Sequence, residues 1–247
     1  MPARRRVPAV SETTVLDRLE NLREEAPVDF YEGLYEEEGA YDRPYQSSHY
    51  YPLFRTALAE VQRLGGQRIL EVGCGSGSFA HLLFDRTELA YIGFDYAKAA
   101  VEKAKRRTRR TVPFFVGNAL APESYAREYD TIVCTEVLEH VEQDLDVIAQ
   151  WRSGSKCVCS VPNFDIPDQH VRFFRAEDEV RSRYGRLIRI DRITRVPRSV
   201  LRGRTFAEYF RRLRWSRNDA KRFLAMLGYR TFDNLAGWYV FSGHRTN

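Results

Sequence analysis

The run RILEVGCGSGSF, residues 68–79, constrains this chain more than any other stretch. Arg68 to Val72 is a short apolar run of β type with one acid, Glu71, near its end, and it breaks directly into Gly73, Gly75 and Gly77. Glycine there lets the backbone turn through positive φ and lets a ligand come close to the main chain. Phe79, Ala80, Leu82 and Leu83 then supply the apolar stripe of a helix whose N-terminus points at the loop.

A strand, a glycine loop and a helix serve several nucleotide-binding folds, so spacing has to separate them. Gly73-Cys74-Gly75-Ser76-Gly77 is G-x-G-x-G, not G-x-G-x-x-G, and no Gly-Lys-Ser/Thr follows. Nothing here is built for a pyrophosphate or a triphosphate. A second apolar run, Tyr91-Ile92-Gly93-Phe94-Asp95, ends in an acid 18 residues after Gly77, which suits hydrogen bonds to both hydroxyls of a ribose. On these residues the chain resembles the class I S-adenosylmethionine-dependent methyltransferases.

The resemblance implies a doubly wound, seven-stranded, mostly parallel sheet with a C-terminal antiparallel hairpin. It implies that Glu71, Gly73, Cys74, Gly75 and Gly77 surround the methionine part of S-adenosylmethionine, with Glu71 facing its ammonium group. Asp95 would take the ribose hydroxyls and Tyr96 would lie against the adenine. Asn118, followed by Ala119, stands where the family commonly has an acid that bonds the adenine amino group. Cys134, Thr135 and Glu136 would line the sulfonium.

The rest of the chain is consistent with that plan. Strand patterns over 68–73, 90–95, 112–117, 129–135 and 156–161 alternate with helical patterns over 77–86, 97–108, 120–127 and 144–152. A helix over 51–64 precedes them, stopped by Gly65-Gly66; a capped helix over 216–227 follows, with strands at 229–235 and 238–243 as the hairpin. Residues 15–22 hint at a short amphipathic helix. At 247 residues with 43% apolar residues, one core and one small appended subdomain are affordable in burial terms. We divide the chain into an N-terminal aromatic lid segment, 1–55, and a methyltransferase domain, 56–247, with residues 164–215 inserted as a substrate cap between the fifth strand and the last helix. That insertion holds a helix over 176–184, an alternating run from Arg186 to Ile193 and an Arg-rich helix near 206–213. The lid is marked by eight aromatics from Phe30 to Phe54; the alternative is a cap packed on the sheet edge.

No apolar run reaches the roughly 20 residues of a membrane span, and the start MPARRRVPAV has no apolar secretion core. The expectation is a cytoplasmic protein without a membrane span. Four cysteines without a C-x-x-C pair read as reduced core residues. The net charge of +5 divides unevenly: residues 172–222 carry +11 and the remainder −6. A basic block suggests an anionic partner, RNA included, and a solvated Arg-rich subdomain accounts for it equally.

Chemistry is suggested by Glu136-Val137-Leu138-Glu139-His140 after the fourth strand. On helical spacing, Glu136, Glu139 and His140 share a face, and His170 lies just beyond the fifth strand, the neighbour of the fourth. These four make a ligand set for a divalent cation, Mg, Mn, Fe or Zn. This E-x-x-E-H turn resembles two metal-assisted groups, the ubiquinone-pathway O-methyltransferases and the small-RNA 2′-O-methyltransferases. Without a metal, His170 or His140 is the general base, with Glu136 beside them. The reading is O-methylation of a small hydroxylated metabolite. RNA 2′-O-methylation, N-methylation of a small molecule or amino sugar, and a catalytically silent cofactor-binding regulator remain open.

Overall fold

The computed structural model describes residues 24–36, 40–108, 112–166, 169–198 and 236–247. Its strands are β1 (Arg68–Val72), β2 (Ala90–Asp95), β3 (Phe114–Val116), β4 (Thr131–Cys134), β5 (Lys156–Pro162), β6 (Ile188–Pro197) and β7 (Gly237–Arg245). They form one sheet in the order β3-β2-β1-β4-β5-β7-β6. The first five are parallel, and β7 enters antiparallel between β5 and β6. The expected mostly parallel sheet with a C-terminal antiparallel hairpin is therefore present. Strand order reverses between β1 and β4, and ligands of open α/β sheets bind in the crevice beyond such a switch point.

The helices are α1 (Val28–Glu36), α2 (Tyr51–Arg63), α3 (Ser78–Arg86), α4 (Lys98–Arg107), α5 (Asp144–Ala149) and α6 (Glu177–Tyr184). Layers on both faces explain why β1 reads as continuously apolar. Ile69 joins a cluster with Leu53, Phe79 and Leu83, whereas Leu70 and Val72 join another with Phe94, Ile132 and Trp151. Complete burial of each such side chain contributes about 1.5–3 kcal/mol. Gly65, at φ 70°, ends the turn after α2.

Two expectations change. Residues 120–127 form only a 3-10 turn at Pro122–Tyr125, because Asn118 and Pro122 bracket too short a run for a full helix. The alternating run that begins at Arg186, assigned above to the cap, supplies β6 at the sheet edge, where a period of two places one face on the core. A register shift between Ile190 and Arg192 accommodates it against β7. The helices near 15–22, 206–213 and 216–227 and the strand at 229–235 lie outside the described residues. No helix among the described residues is long and apolar enough to cross a membrane.

Candidate active site

Gly73, Gly75 and Gly77, at φ 69°, 51° and 77°, carry the chain from β1 into α3. A Cβ on Gly73 would stand 2.3 Å from Val137 Cγ2, so space as well as backbone conformation requires glycine. The loop is tied to β2 by main-chain donors. Cys74 N–H donates to the Phe94 carbonyl at 2.9 Å and Gly75 N–H to Asp95 Oδ2 at 2.9 Å. The other Asp95 oxygen accepts from Ala97 N–H at 3.0 Å. Burial pushes the Asp95 carboxyl up to about 6, against the pull of these donors. Glu71, buried beneath the loop, accepts from the Tyr91 hydroxyl, and burial pushes its carboxyl up to about 8.

Two adjoining clefts open above these residues. Asp95, Tyr96, Asn118 and Ala119 line one; Glu71, Cys74, Gly75, Thr135 and His170 line the other; Gly73, Glu136 and His140 line both. Gly77 lines neither, because it faces Ala104 and Phe114 and serves as the turn into α3. Asn118 turns its amide oxygen back to accept from Leu120 N–H at 2.8 Å.

The N-terminal segment closes over the junction of the two clefts and is held there by α4. The Glu32 carboxylate accepts from Lys98 N–H at 2.7 Å and Ala99 N–H at 2.8 Å, capping a helix whose own N-cap, Ala97, has no side-chain oxygen. Further along α4, Lys103 pairs with Asp42 at 2.9 Å, and Arg107 donates to the carbonyls of Tyr41 and Arg43 and to Ser76 Oγ. Tyr31 and Tyr35 thereby reach both clefts. The Tyr31 ring lies 5.3 Å from Tyr96 and 6.0 Å from His140, and its buried hydroxyl has no hydrogen-bond partner among the described residues.

After β4 the chain does not continue as a helix. Glu136 adopts φ 58°, and His140 N–H closes a turn on the Val137 carbonyl at 2.9 Å. The left-handed residue breaks the helical spacing, and Ser160 holds it: Glu136 N–H donates to Ser160 Oγ at 3.1 Å, and Ser160 Oγ–H donates to Glu136 Oε1 at 3.2 Å. Three of the four expected ligands lie together, and the Glu136 carboxyl adjoins that of Glu139. Glu139, His140 and His170 bring ligating atoms within 4.8 Å of one another, and Glu136 stays outside that group.

The histidines are oriented by backbone carbonyls. His140 Nδ1 lies 2.8 Å from the Gln169 oxygen and His170 Nδ1 lies 3.2 Å from the Phe164 oxygen. A carbonyl only accepts, so each ring carries a proton on Nδ1, and in the neutral ring the lone pair lies on Nε2. Glu139 is 0% exposed; its carboxyl adjoins that of Glu136, and its oxygens meet no other hydrogen-bond partner among the described residues. Burial, and then the neighbouring Glu136 carboxyl, hold Glu139 well above the usual carboxylate range. Burial likewise pushes Glu136 up to about 7 and holds His140 below its ordinary value. One carboxyl oxygen and two imidazole nitrogens thus converge, an arrangement that suits a shared proton or a cation.

Aromatic rings enclose the far side. Phe164 lies 5.7 Å from His170 and 6.0 Å from Trp238, which in turn lies 5.6 Å from Tyr50. Burial and the Arg198 charge lower His49 to about 4, leaving a neutral ring at this wall. Sequence reasoning missed Tyr91, Ser160 and Arg172. A hydroxyl on a strand buried on both faces was the available signal for Ser160; Arg172 was hidden in the basic block.

A family model for a methyltransferase domain matches residues 45–216, more than half of the chain. The ubiquinone biosynthesis O-methyltransferase of Vibrio cholerae serotype O1 is 31% identical over 129 residues, 51% of this chain and 48% of that protein. The chain spans about half the length of the curated relatives it matches. Among solved structures, a chain from the complex with the Haloferax volcanii Trm112 methyltransferase activator aligns at TM-score 0.64 and 16% identity, covering 91% of this chain and 100% of that one. A structure from the conversion of a disulfide bond into a thioacetal group during echinomycin biosynthesis aligns at TM-score 0.56 and 14% identity, covering 90% and 94%. These two likenesses speak for the fold. The match over residues 45–216 adds the family, and the chain belongs to the methyltransferase-domain family as a class I S-adenosylmethionine-dependent member.

Proposed function

We propose that this chain transfers the methyl group of S-adenosylmethionine to a hydroxyl oxygen of a small hydroxylated metabolite. The observation that carries the reading is the buried Glu139, His140 and His170 group, set beside the junction of the two clefts. In this reading Asp95 bonds the ribose hydroxyls, Tyr96 and Asn118 border the adenine, and Glu71 faces the ammonium group. An ammonium beside Glu71 favours its ionised form and offsets the burial that raises it. The lid tyrosines exclude water and leave room for a compact acceptor rather than a polymer.

The acceptor hydroxyl must lose a proton as its oxygen attacks the methyl carbon. His170 Nε2 carries a lone pair and takes that proton; His140, in the same tautomer, is the alternative base. Glu136 and Glu139 stabilise the imidazolium that forms. The same three residues, Glu139, His140 and His170, fit a divalent cation, since a carboxylate without donors and two Nε2 lone pairs form its usual donor set. Such a cation would lower the acceptor's pKa.

The described half of the basic block favours a small acceptor over RNA. Arg172 and Arg183 pair with the buried Asp144, Arg189 with Asp191, Arg192 with Glu60 and Arg195 with Glu177, so part of this charge is engaged within the fold. Incubation with S-adenosylmethionine carrying a labelled methyl group, with catechols, hydroxybenzoates, sugars and total RNA as acceptors, tests the reading. Label on an oxygen of a small compound, lost in Glu139→Gln, is the expected result. Label found only in RNA or on an amine nitrogen would overturn it.

A further inference from the structure

Arg172 stands out as a buried cation that touches no ligand cleft. It is 6% exposed and pairs with Asp144, itself 1% exposed, at 3.3 Å. Its guanidinium spends its donors on main-chain oxygens of the turn after β4: Nη1 on Leu138 and Val141, Nη2 on Glu142 at 2.9 Å. Those carbonyls bracket Glu139 and His140 on both sides. The main chain of the same segment adds Val171 N–H and Arg172 N–H on the Glu139 carbonyl, at 2.8 and 3.3 Å. The turn is thus gripped from one side by a single short segment, and that segment also carries His170.

We infer that Arg172 is a positioning residue that sets the geometry of the Glu139, His140 and His170 group. A planar guanidinium can bond three carbonyls and a carboxylate at once, whereas the point charge of a lysine cannot hold that spread. Asp144 fixes the guanidinium from behind, and it is itself fixed by Arg183 at 2.8 Å and the Tyr184 hydroxyl at 2.8 Å. With the clamp in place, the Gln169 and Phe164 carbonyls stay within reach of the two imidazoles. Without it, the His140–Gln169 contact is left to join the turn and the segment after β5, and both rings lose their enforced tautomer. The inference rests on the reading of this group as the reacting centre.

Long-range nitrogen–proton spectra of the histidine side chains report the tautomer directly and need no substrate. In the unaltered protein His140 and His170 should show the Nδ1–H form. Arg172→Lys should mix the tautomers of both rings and lower methyl transfer about 10- to 100-fold, with a smaller loss of S-adenosylhomocysteine affinity, because the turn that Arg172 holds also carries Val137, His140 and Val141 of the adjoining cleft. Arg183→Lys removes the other guanidinium from Asp144 without touching the turn and should leave the tautomers as they were. Folded Arg172→Lys with unchanged tautomers would overturn the inference, as would equal disturbance by Arg183→Lys. Mixed tautomers with undiminished transfer would support the positioning role and sink the reading of the group as the reacting centre. Should Arg172→Lys fail to fold, solvent exchange of the Arg172 guanidinium protons in the unaltered chain decides: slow exchange supports the clamp, and exchange at the rate of a surface arginine overturns it.

Discussion

The two ends of the cleft are built by opposite means. At the glycine loop, main-chain donors set the shape: Gly75 N–H and Ala97 N–H both bond one acid, Asp95. At the Glu139, His140 and His170 end they are side chains, each oriented by a carbonyl or a buried neighbour. The first end depends on backbone conformation and should tolerate little change in shape. The second depends on proton positions, so its failures should appear in chemistry before they appear in binding.

Glu139→Gln should separate the ends most sharply. Methyl transfer should fall on the order of 100-fold or more, with calorimetric S-adenosylhomocysteine affinity unchanged; an equal loss in affinity would show that the ends are one site. Asp95→Ala should do the reverse and weaken S-adenosylhomocysteine binding on the order of 100-fold, since two charge-assisted bonds and the loop's anchor go together. Unchanged affinity there would refute the ribose assignment. Glu32→Ala should have a moderate effect. Loss of the cap on α4 should cost about 1 kcal/mol in denaturant unfolding, and with it part of the lid's hold over Tyr31 and Tyr35.

The smallest effect is a pH slope, and it compares the ends in one measurement. Glu71 and Glu136, raised to about 8 and about 7, keep protons in the folded chain that the unfolded chain has already released. The folded state then binds more protons, so stability falls as pH rises through that range. His49, His81 and His140 are lowered, and they oppose this only below their ordinary value of 6.5. Between about 6.5 and 8 the ligand-free chain should therefore lose stability, and Glu71→Gln should flatten the slope. S-adenosylhomocysteine should recover the loss, because its ammonium favours ionised Glu71. A slope that rises in this window would contradict the burial of both acids.

Much of the first end was legible in the residue order. Glu71, the loop glycines, Asp95 and Asn118 lie at or just beyond strand ends that periodicity located, and Gly77 turns the chain into the helix beyond while its neighbours face the clefts. The second end was legible in its residue types and not in its geometry. Helical spacing grouped Glu136 with Glu139 and His140; a positive φ at Glu136, anchored by Ser160, replaces the helix by a turn in which the Glu136 carboxyl adjoins Glu139 while His140 and His170 complete the tight group. The alternating run from Arg186 was visible as a pattern of period two, yet its place in the sheet depended on β7, a long way on in the chain.

By itself the sequence determined the parallel strands and the glycine loop, because these follow from local periodicity and spacing within one contiguous stretch, and the cofactor class came through the family resemblance those residues carry. Tertiary structure alone decided which acid joins the histidines, how Arg172 grips their turn and where the N-terminal segment is fastened. Those contacts form only when β4 and β5 lie side by side and α1 meets the N-terminus of α4, and no local property of residues so far apart in the chain encodes them.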